Sequence, residues 1–204
     1  MPRPDSRRDS SRPDARPGSR PRLTAQDWAD AALTAIGERG LAAVAVEPLA
    51  ARLGATKGSF YWHFTNREAL IEAALARWEE ICTEEIITAV EREPDPERRL
   101  RLLFAEATES AAEDPLEVSL LATADHPVVA AVLRRVTDRR VSYVAALFEE
   151  LGFPAAEARR RGLLAYTSYL GHTQLTHAVP EAVPGGEERA GYLGSVLDVL
   201  LRRG

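Results

Sequence analysis

Apolar residues recur at helical spacing through almost the whole chain after residue 22. Between Leu70 and Val90 they lie three or four positions apart for about six turns, and Pro94 and Pro96 end the stretch. This spacing places the apolar side chains on one face of a helix, which must pack against other helices to leave water. The alternation of apolar and polar residues that is typical of strands is not sustained anywhere in the sequence. The sequence therefore predicts an all-α protein without a sheet.

Capping residues and helix breakers divide the rest of the chain into further helices. Thr24 is a good N-cap for a first helix that Gly40 ends, and Asn66 is a good N-cap for the long helix. The other predicted helices span about 48–53, 57–64, 100–115, 116–124, 129–151, 155–179 and 187–203. Short helices are thus expected near the N-terminus, and longer ones follow.

Length and cysteine count exclude several classes of protein. With 204 residues, the chain can bury a substantial core. A single cysteine, Cys82, excludes a disulfide framework and a four-cysteine zinc site. The longest charge-free stretch, 163–180, contains many polar side chains, so no membrane span is predicted. Residues 1–5 are not followed by the apolar core of a secretory signal, and we therefore expect a cytoplasmic protein.

Charge is distributed unevenly along the chain. Residues 1–22 contain seven arginines and three aspartates, whereas residues 68–204 contain 15 basic and 24 acidic residues. Contact with a polyanion is therefore expected in the N-terminal third. Residues 1–21 are mainly Pro, Arg, Ser, Asp and Gly, and we predict a disordered basic arm there. The simpler interpretation is a solvated tail, and the alternative is an arginine arm that enters a minor groove.

Two short helices joined by a tight turn that contains Gly54 follow the longer first helix, which is a helix-turn-helix pattern over residues 45–64. Phe60 and Phe64 are four residues apart and are predicted to face the core. Gly58 would let the backbone approach a partner closely. The side chains that remain for the outer face can donate hydrogen bonds to phosphates or base edges, and they are Lys57, Ser59, Tyr61, Trp62 and His63.

The run Gly-x-x-Lys-Gly-x-x-Tyr-x-His-Phe, from Gly54 to Phe64, continues into a helix start of Arg67, Glu68 and Leu70. Over residues 22–82 the sequence resembles the TetR family of bacterial transcriptional regulators. The resemblance implies an N-terminal DNA-binding domain over 22–82 and a larger helical domain over 83–204 for effector binding and dimerisation. It also implies a transcriptional regulator, most simply a repressor, whose affinity for its operator falls when a small-molecule effector binds. No cofactor and no enzymatic activity are expected.

That resemblance implies a homodimer that places one recognition helix per subunit in the major groove of a palindromic double-stranded operator, with the two helices roughly 34–36 Å apart. Phosphate contacts are expected from Thr24, Lys57, Tyr61, His63 and Arg67. Groove-facing contacts are expected from Thr56, Ser59 and Trp62. The full set expected at the DNA is Thr24, Thr56, Lys57, Gly58, Ser59, Tyr61, Trp62, His63 and Arg67.

The start of the second short helix departs from the family pattern, which usually has a threonine cap and often a basic residue. Here the positions are Ala45, Val46, Glu47 and Pro48. Alanine is a weak N-cap, at a cost of about 1 kcal/mol. The Glu47 carboxylate repels phosphates, whereas on a cytosine edge it accepts a hydrogen bond. The operator sequence of a relative therefore does not transfer to this chain.

A helical bundle of this size can hold an effector cavity between its helices. The predicted lining is mostly apolar with a few hydroxyl and amide groups, so a moderately hydrophobic ligand fits better than a sugar phosphate. It comprises Trp78, Cys82, Phe104, Leu121, Tyr143, Phe148, Tyr166, Tyr169 and Gln174. The alternative is that these residues simply fill the core.

Helices 155–179 and 187–203 are the predicted dimer interface, a four-helix contact with two-fold symmetry. The first offers small residues for close approach, and the second offers apolar ones. They are Gly162, Ala165, Ser168 and Gly171, followed by Leu193, Val196, Leu197, Leu200 and Leu201.

Two other classes of function remain as alternatives. One is a helical ligand-binding or adaptor protein with a weakened DNA-binding head, which the acidic Glu47 keeps open. The other is an enzyme, which is disfavoured because none of the common nucleophile, zinc or nucleotide motifs occurs. His172 and His177 are five residues apart, which is not the spacing of helical metal ligands. The arginine runs 134–140 and 159–161 are interpreted as solvated faces or as interhelical ion pairs.

Overall fold

A computed structural model of the chain describes residues 22–203, so the predicted basic arm, residues 1–21, lies outside the described residues. Within residues 22–203 the chain is helical and contains no strand, which confirms the predicted all-α class. The helices are α1 Ala25–Arg39, α2 Val46–Leu53, α3 Lys57–Tyr61, α4 Arg67–Glu79, α5 Ile86–Val90, α6 Pro96–Glu113, α7 Leu116–Leu121, α8 Pro127–Glu150, α9 Ala155–Ala178 and α10 Gly186–Leu201.

Local capping explains where α1 begins and ends. The Thr24 hydroxyl accepts a hydrogen bond from the Asp27 backbone N–H at 3.2 Å, and the Asp27 carboxylate accepts one from the Thr24 N–H at 2.6 Å. This reciprocal capping box satisfies two N–H groups that have no helical partner. Gly40, with φ 75°, ends the helix in a conformation that side chains disfavour. The predicted N-cap and stop are both observed.

The two short helices differ from the predicted ones by a few residues. α2 begins two residues earlier than Pro48, and its N-cap, Ala45, makes no side-chain hydrogen bond, as expected for a weak cap. α3 ends at Tyr61, three residues before the predicted end at Phe64. The segment after Tyr61 forms a turn, in which the His63 and Phe64 N–H groups both bond to the Phe60 carbonyl.

The long predicted helix contains an irregular turn. α4 leads into a π-helical stretch, Glu80–Glu85, which leads directly into α5. We call Glu80–Glu85 the π segment and residues 67–90 the connecting helix. A π turn carries one residue more than an α turn, and such turns are frequent at functional sites. The predicted domain boundary between residues 82 and 83 falls inside this segment.

Two clusters of buried side chains form the interior. The N-terminal core joins α1–α4 to α7 and to the first half of α8, with Trp28, Leu70 and Trp78 among its members. The C-terminal core joins α6, α9 and α10 to the second half of α8, with Phe104 and Phe148 among its members. Because α8 belongs to both cores, the N-terminal helices α1–α4 do not pack independently of the rest of the chain.

The outer faces of α9 and α10 carry exposed aliphatic side chains. Four aliphatic side chains of α9 or α10 are exposed, namely Leu163, Leu164, Leu175 and Val199, and Leu164 is 55% exposed. The small residues fall differently than predicted, because Gly162 and Ala165 are buried and face the chain's own interior. A Cβ on Gly162 would lie 2.9 Å from the Val141 carbonyl oxygen of α8.

The predicted apolar contribution of α10 also turns inward. Leu193, Leu197 and Leu200 are buried in the C-terminal core, whereas Val199, which was not predicted, is exposed. The periodicity of α10 identifies an apolar stripe correctly, but that stripe packs on α6 and α9 of the same chain. Within the described residues, no helix is both long and apolar enough to cross a membrane.

Candidate nucleic-acid interface and effector cavity

The short helix α3 is fixed by the turn that precedes it. Gly54 adopts the left-handed conformation, with φ 63°, and closes α2. The Thr56 hydroxyl accepts a hydrogen bond from the Ser59 backbone N–H at 3.2 Å and so caps α3. Thr56 therefore has a local structural role in addition to any contact that it makes with DNA.

One buried aromatic side chain orients α3. Phe60 is 0% exposed and packs edge-to-face on Trp28 of α1, with 5.5 Å between ring centroids, and stacks on Phe64 at 5.6 Å. Both phenylalanines lie in the N-terminal core, as predicted. Since Phe60 holds one side of α3 against α1, the opposite side must face solvent.

The exposed side of α3 carries the residues that were expected at the DNA. Trp62 is 79% exposed and Tyr61 is 57% exposed, which are large values for aromatic side chains. Lys57 and Gly58 are also exposed, while Ser59 and His63 are half-buried. A Cβ on Gly58 would meet only the Thr56 hydroxyl, at 3.7 Å, so the chain's own packing does not require a glycine there.

The cation of this surface is already paired in the free protein. The Lys57 ammonium nitrogen lies 2.9 Å from a Glu47 carboxylate oxygen, and both side chains are largely exposed. The hydrogen bond between them raises the pKa of Lys57 and lowers the pKa of Glu47, so both remain charged at neutral pH. A phosphate that binds Lys57 must therefore compete with Glu47.

The two outlying residues expected at the DNA have different surroundings. Thr24 is exposed and caps α1. Arg67 is half-buried, and its guanidinium donates to the Val44 carbonyl at 2.6 Å and to the Leu41 carbonyl at 2.8 Å. These bonds tie the start of α4 to the link between α1 and α2. Arg67 thus has a structural function that its position in the sequence does not indicate.

A cavity lies between the connecting helix, α6, α8 and α9, with about 560 Å³ of space that is free of atoms and partly open to solvent. Its wall contains Ile86, Ile87, Leu100, Leu103, Ala107 and Val144, together with polar groups from Thr83 and Arg140. Five of the predicted lining residues are found there, namely Cys82, Phe104, Tyr143, Tyr166 and Tyr169.

The other four predicted lining residues lie elsewhere. Trp78 is buried in the N-terminal core, and Phe148 packs edge-to-face on Phe153 at 5.6 Å in the C-terminal core. Leu121 and Gln174 are exposed. Helical periodicity indicates that Trp78 and Phe148 are interior, but it does not distinguish a cavity wall from a filled core.

A buried ion pair at one end of this cavity was not predicted. The Arg140 guanidinium donates to a Glu117 carboxylate oxygen at 2.7 Å, and the Tyr169 hydroxyl donates to the other oxygen at 2.5 Å. Glu117 is 5% exposed, and the Arg140 guanidinium lies 5.3 Å from the centroid of the Trp78 ring. The interpretation of residues 134–140 as a solvated face is therefore wrong for Arg140.

Electrostatics keep the Arg140 guanidinium charged. Burial acts to lower the pKa of Arg140, but the nearby negative charge, that of Glu117 foremost, outweighs it, so the net direction is upward. Burial, followed by the Glu117 carboxylate, raises the pKa of Tyr169, which therefore remains a hydrogen-bond donor. The sequence does carry a signal for Arg140, because this arginine interrupts the apolar stripe of α8.

Neighbouring arginines of α8 also bind the connecting helix. Arg135 bonds to Glu79 with its closest contact at 2.5 Å, and Arg139 bonds to Glu84 at 2.9 Å through two separate nitrogens. These residues lie immediately before and within the π segment. The alternative interpretation of this run, interhelical ion pairs, is thus confirmed for Arg135 and Arg139.

The histidines and the cysteine show no metal site. Within residues 22–203 no three of the potential metal ligands His, Cys, Asp and Glu cluster together. His177 Nε2 lies 2.7 Å from the Ala111 carbonyl oxygen, and His172 is buried with its ring tilted over Tyr192. Burial raises the pKa of the Cys82 thiol to about 11, so the thiol is protonated at neutral pH.

Comparison with known proteins now identifies the head. Residues 29–74, which include α2, α3 and most of α1 and α4, match the model of the family described as bacterial regulatory proteins, tetR family. The N-terminal domain is a TetR-family domain. The resemblance stated from the Gly54–Phe64 run is thereby confirmed, and α3 lies within the matched residues.

Solved structures extend the likeness to the C-terminal helices. A transcriptional regulator from Rhodococcus sp. Rha1 aligns with a TM-score of 0.71 and 21% identity, over 88% of this chain and 94% of its own. FadR from Bacillus subtilis, solved in complex with stearoyl-CoA, aligns with a TM-score of 0.64 and 15% identity, over 87% and 98%.

FadR from Bacillus halodurans aligns with a TM-score of 0.65 and 18% identity, over 91% of this chain and 97% of its own. At these identities the likeness shows a shared fold, that of TetR-family transcriptional regulators. No curated protein sequence matches the chain.

Proposed function

We propose that this protein is a homodimeric transcriptional repressor that binds double-stranded operator DNA through α3 and releases it when a small molecule occupies the cavity between α5, α6, α8 and α9. The exposure of Trp62 and Tyr61 on a helix pinned from behind by Phe60 is the observation that carries the proposal. Aromatic side chains so exposed lose contact with water only when a partner covers them, and a slender helix of this kind fits the major groove.

The proposed DNA contacts follow from position on that surface. Lys57, Tyr61 and Trp62 have exposed side chains on the outer side of this segment. Thr56 and Thr24 lie at helix N-termini, where the helix dipole favours a phosphate, and at Thr24 a phosphate competes with the Asp27 carboxylate, which accepts from the Thr24 N–H and hydroxyl. Arg67 contributes mainly by holding the α1–α2 link, because its guanidinium bonds to two backbone carbonyls.

Selection of bound duplexes from a random DNA library tests this proposal. We expect a palindromic site, with binding that falls steeply as salt rises. The Lys57→Ala/Tyr61→Ala double variant should lose that binding and retain its fold, because both side chains are exposed. Leu102→Ala, a change at an exposed side chain of α6, is the control and should bind as the wild type does.

The dimer is proposed to form through the outer faces of α9 and α10. Their exposed Leu163, Leu164, Leu175 and Val199 make an apolar surface that a second copy of the chain would cover. The inward-facing Gly162 and Leu197 support the subunit itself rather than this contact. A two-fold axis between the α9–α10 pairs would present both α3 helices to one duplex.

The effector is proposed to bind in the cavity, which is enclosed mostly by apolar side chains. FadR from Bacillus subtilis, which shares the fold, was solved in complex with stearoyl-CoA. The connecting helix lines this cavity and also carries α4 of the DNA-binding head. A ligand that favours one position of this helix would change the DNA affinity by its coupling free energy, typically about 1–3 kcal/mol.

A second candidate function is a ligand-binding adaptor whose head has little affinity for DNA. The pairing of Lys57 with Glu47 favours it, since the pair leaves the recognition surface with no uncompensated lysine charge. The same selection experiment distinguishes the two functions. If no duplex is enriched at low salt, the adaptor is supported and the regulator is refuted.

A further inference from the structure

The cavity holds one formal charge along its wall, and that charge is already neutralised. Among its lining residues only Arg140 is charged. Glu117 lies 2.7 Å away and is itself buried, so the pair brings no net charge to the cavity. A carboxylate or phosphate that entered would be an unpaired anion in an apolar enclosure, which is strongly unfavourable. The wall therefore selects uncharged ligands.

Arg140 still has hydrogen-bonding capacity to offer such a ligand. Its three side-chain nitrogens each make one hydrogen bond to protein, to Thr83, to Glu117 and to the Cys82 carbonyl. A guanidinium has more N–H groups than these three bonds use, and it cannot accept a hydrogen bond. Tyr166 also lines the cavity near this end. The complementary ligand group is therefore a hydrogen-bond acceptor.

The same guanidinium is bonded to the π segment. Arg140 Nη2 donates to the Cys82 carbonyl at 2.9 Å, and Nε donates to the Thr83 hydroxyl at 2.9 Å. Both residues belong to Glu80–Glu85, in which the regular α-helical hydrogen bonding is interrupted. Arg135 and Arg139 hold the segment from the outside through Glu79 and Glu84. One charged group of α8 thus contacts both the cavity and the irregular turn.

We infer that the cavity binds an uncharged, largely apolar molecule that bears a carbonyl-type acceptor, and that Arg140 transmits its binding to the π segment. The inference deepens the proposed effector function and rests on it. A ligand carbonyl that accepts from the second N–H of Nη2 draws the guanidinium towards the cavity, and this displacement weakens the bond from the same nitrogen to the Cys82 carbonyl. The connecting helix then loses one of the contacts that stabilise its extra residue. If the π turn became a regular α turn, one end of the connecting helix would rotate by about 100° relative to the other.

Two uncharged fluorescent probes and one anionic probe separate simple occupancy of the cavity from hydrogen bonding to Arg140. Prodan is a naphthalene ketone, N-phenyl-naphthylamine has a similar apolar body without a carbonyl, and cis-parinaric acid is an apolar anion. We expect the first two to bind and the acid to bind at least tenfold more weakly. Hydrogen–deuterium exchange then reads the π segment directly, without DNA. Prodan should accelerate exchange over residues 80–86 at least about fivefold, whereas N-phenyl-naphthylamine should not.

Paired variants identify Arg140 as the transmitting residue. Arg140→Met/Glu117→Gln removes both charges together, because removal of only one would leave a buried unpaired charge. This double variant should still bind prodan but lose the acceleration of exchange. Arg140→Lys, which keeps the charge but offers fewer directed donors, should retain only part of it and serves if the double variant does not fold. Phe104→Trp, which fills the cavity, should abolish prodan binding.

The inference is overturned if parinaric acid binds as tightly as prodan, if prodan does not bind, if its binding leaves exchange over residues 80–86 unchanged, or if the Arg140 variants respond as the wild type does. Failure of the proposed function would look different. In that case no duplex would be selected, while the probe binding and the exchange response would persist.

Discussion

Replacement of Glu47 by glutamine should strengthen DNA binding and make it more sensitive to salt. In the free protein the Lys57 ammonium lies 2.9 Å from the Glu47 carboxylate. A phosphate that takes Lys57 must displace this carboxylate, and the released Glu47 then lies near a polyanion. Glutamine keeps the size of the side chain and removes both effects, so Lys57 becomes available to neutralise a phosphate.

The magnitude follows from one additional phosphate contact. Each neutralised phosphate changes the slope of log K against log salt by about −0.9. Between 50 and 200 mM salt, such a slope corresponds to a further loss of affinity of about 3.5-fold. We therefore expect Glu47→Gln to bind more tightly than the wild type at low salt, with an advantage that shrinks by about this factor over that range.

Fluorescence anisotropy with a selected duplex measures the slope for both proteins. Glu97→Gln on α6, which removes one negative charge from a half-buried pair with Arg101, is the control and should leave the slope unchanged. Lys57→Gln in the Glu47→Gln background should restore the wild-type slope. An unchanged slope in Glu47→Gln would refute the reasoning, because it would mean that Lys57 neutralises no phosphate that Glu47 withholds.

Three further predictions concern the helical body. Leu164→Glu should raise the dimer dissociation constant at least about tenfold in sedimentation equilibrium, because it places a charge at an apolar contact. Leu102→Glu, the control, should not change this constant. An unchanged constant in Leu164→Glu would show that α9 is not part of the dimer interface. Gly162→Ala should lower the free energy of unfolding by about 1–3 kcal/mol in urea titrations, because its Cβ would lie 2.9 Å from the Val141 oxygen, whereas Gly58→Ala should leave it equal or higher. At pH 8 Cys82 should react with a disulfide reagent about 100-fold more slowly than in the urea-unfolded chain, and the rate should keep rising as pH approaches about 11; equal rates would contradict the raised pKa.

The DNA-binding head shows how far local sequence information reaches. Thr24, Gly40 and Asn66 fix helix ends through bonds to residues within four positions, so their roles are readable in the chain. Phe60 and Phe64 both reach the N-terminal core, as their spacing of four predicts, although Phe64 lies in the turn after α3. Arg67 is the exception, because the backbone carbonyls that it binds lie more than twenty residues away in the chain. The local sequence around position 67 therefore does not predict these bonds.

The cavity shows what local sequence patterns do not predict. Five of the nine residues predicted to line it do so, and Trp78 and Phe148 are interior but face solid core. Periodicity assigns a residue to a buried face, but the size of the neighbouring side chains decides whether that face meets a void. Tyr143 and Phe148 lie on the same helix, and only the placement of α6 and α9 separates their environments.

By itself the sequence determined that the chain is helical, where most helices start and stop, and which short helix presents lysine and aromatic groups outward, because each of these follows from spacing and capping over a few residues. Only the tertiary structure decided that Arg140 is buried and ion-paired and that the apolar stripe of α10 faces the interior of the chain. It also decided that Leu163, Leu164 and Leu175 of α9 are exposed to solvent. Those outcomes depend on contacts between helices that are distant in the chain, and the free energy of such contacts is set by shape and charge in three dimensions rather than by local pattern.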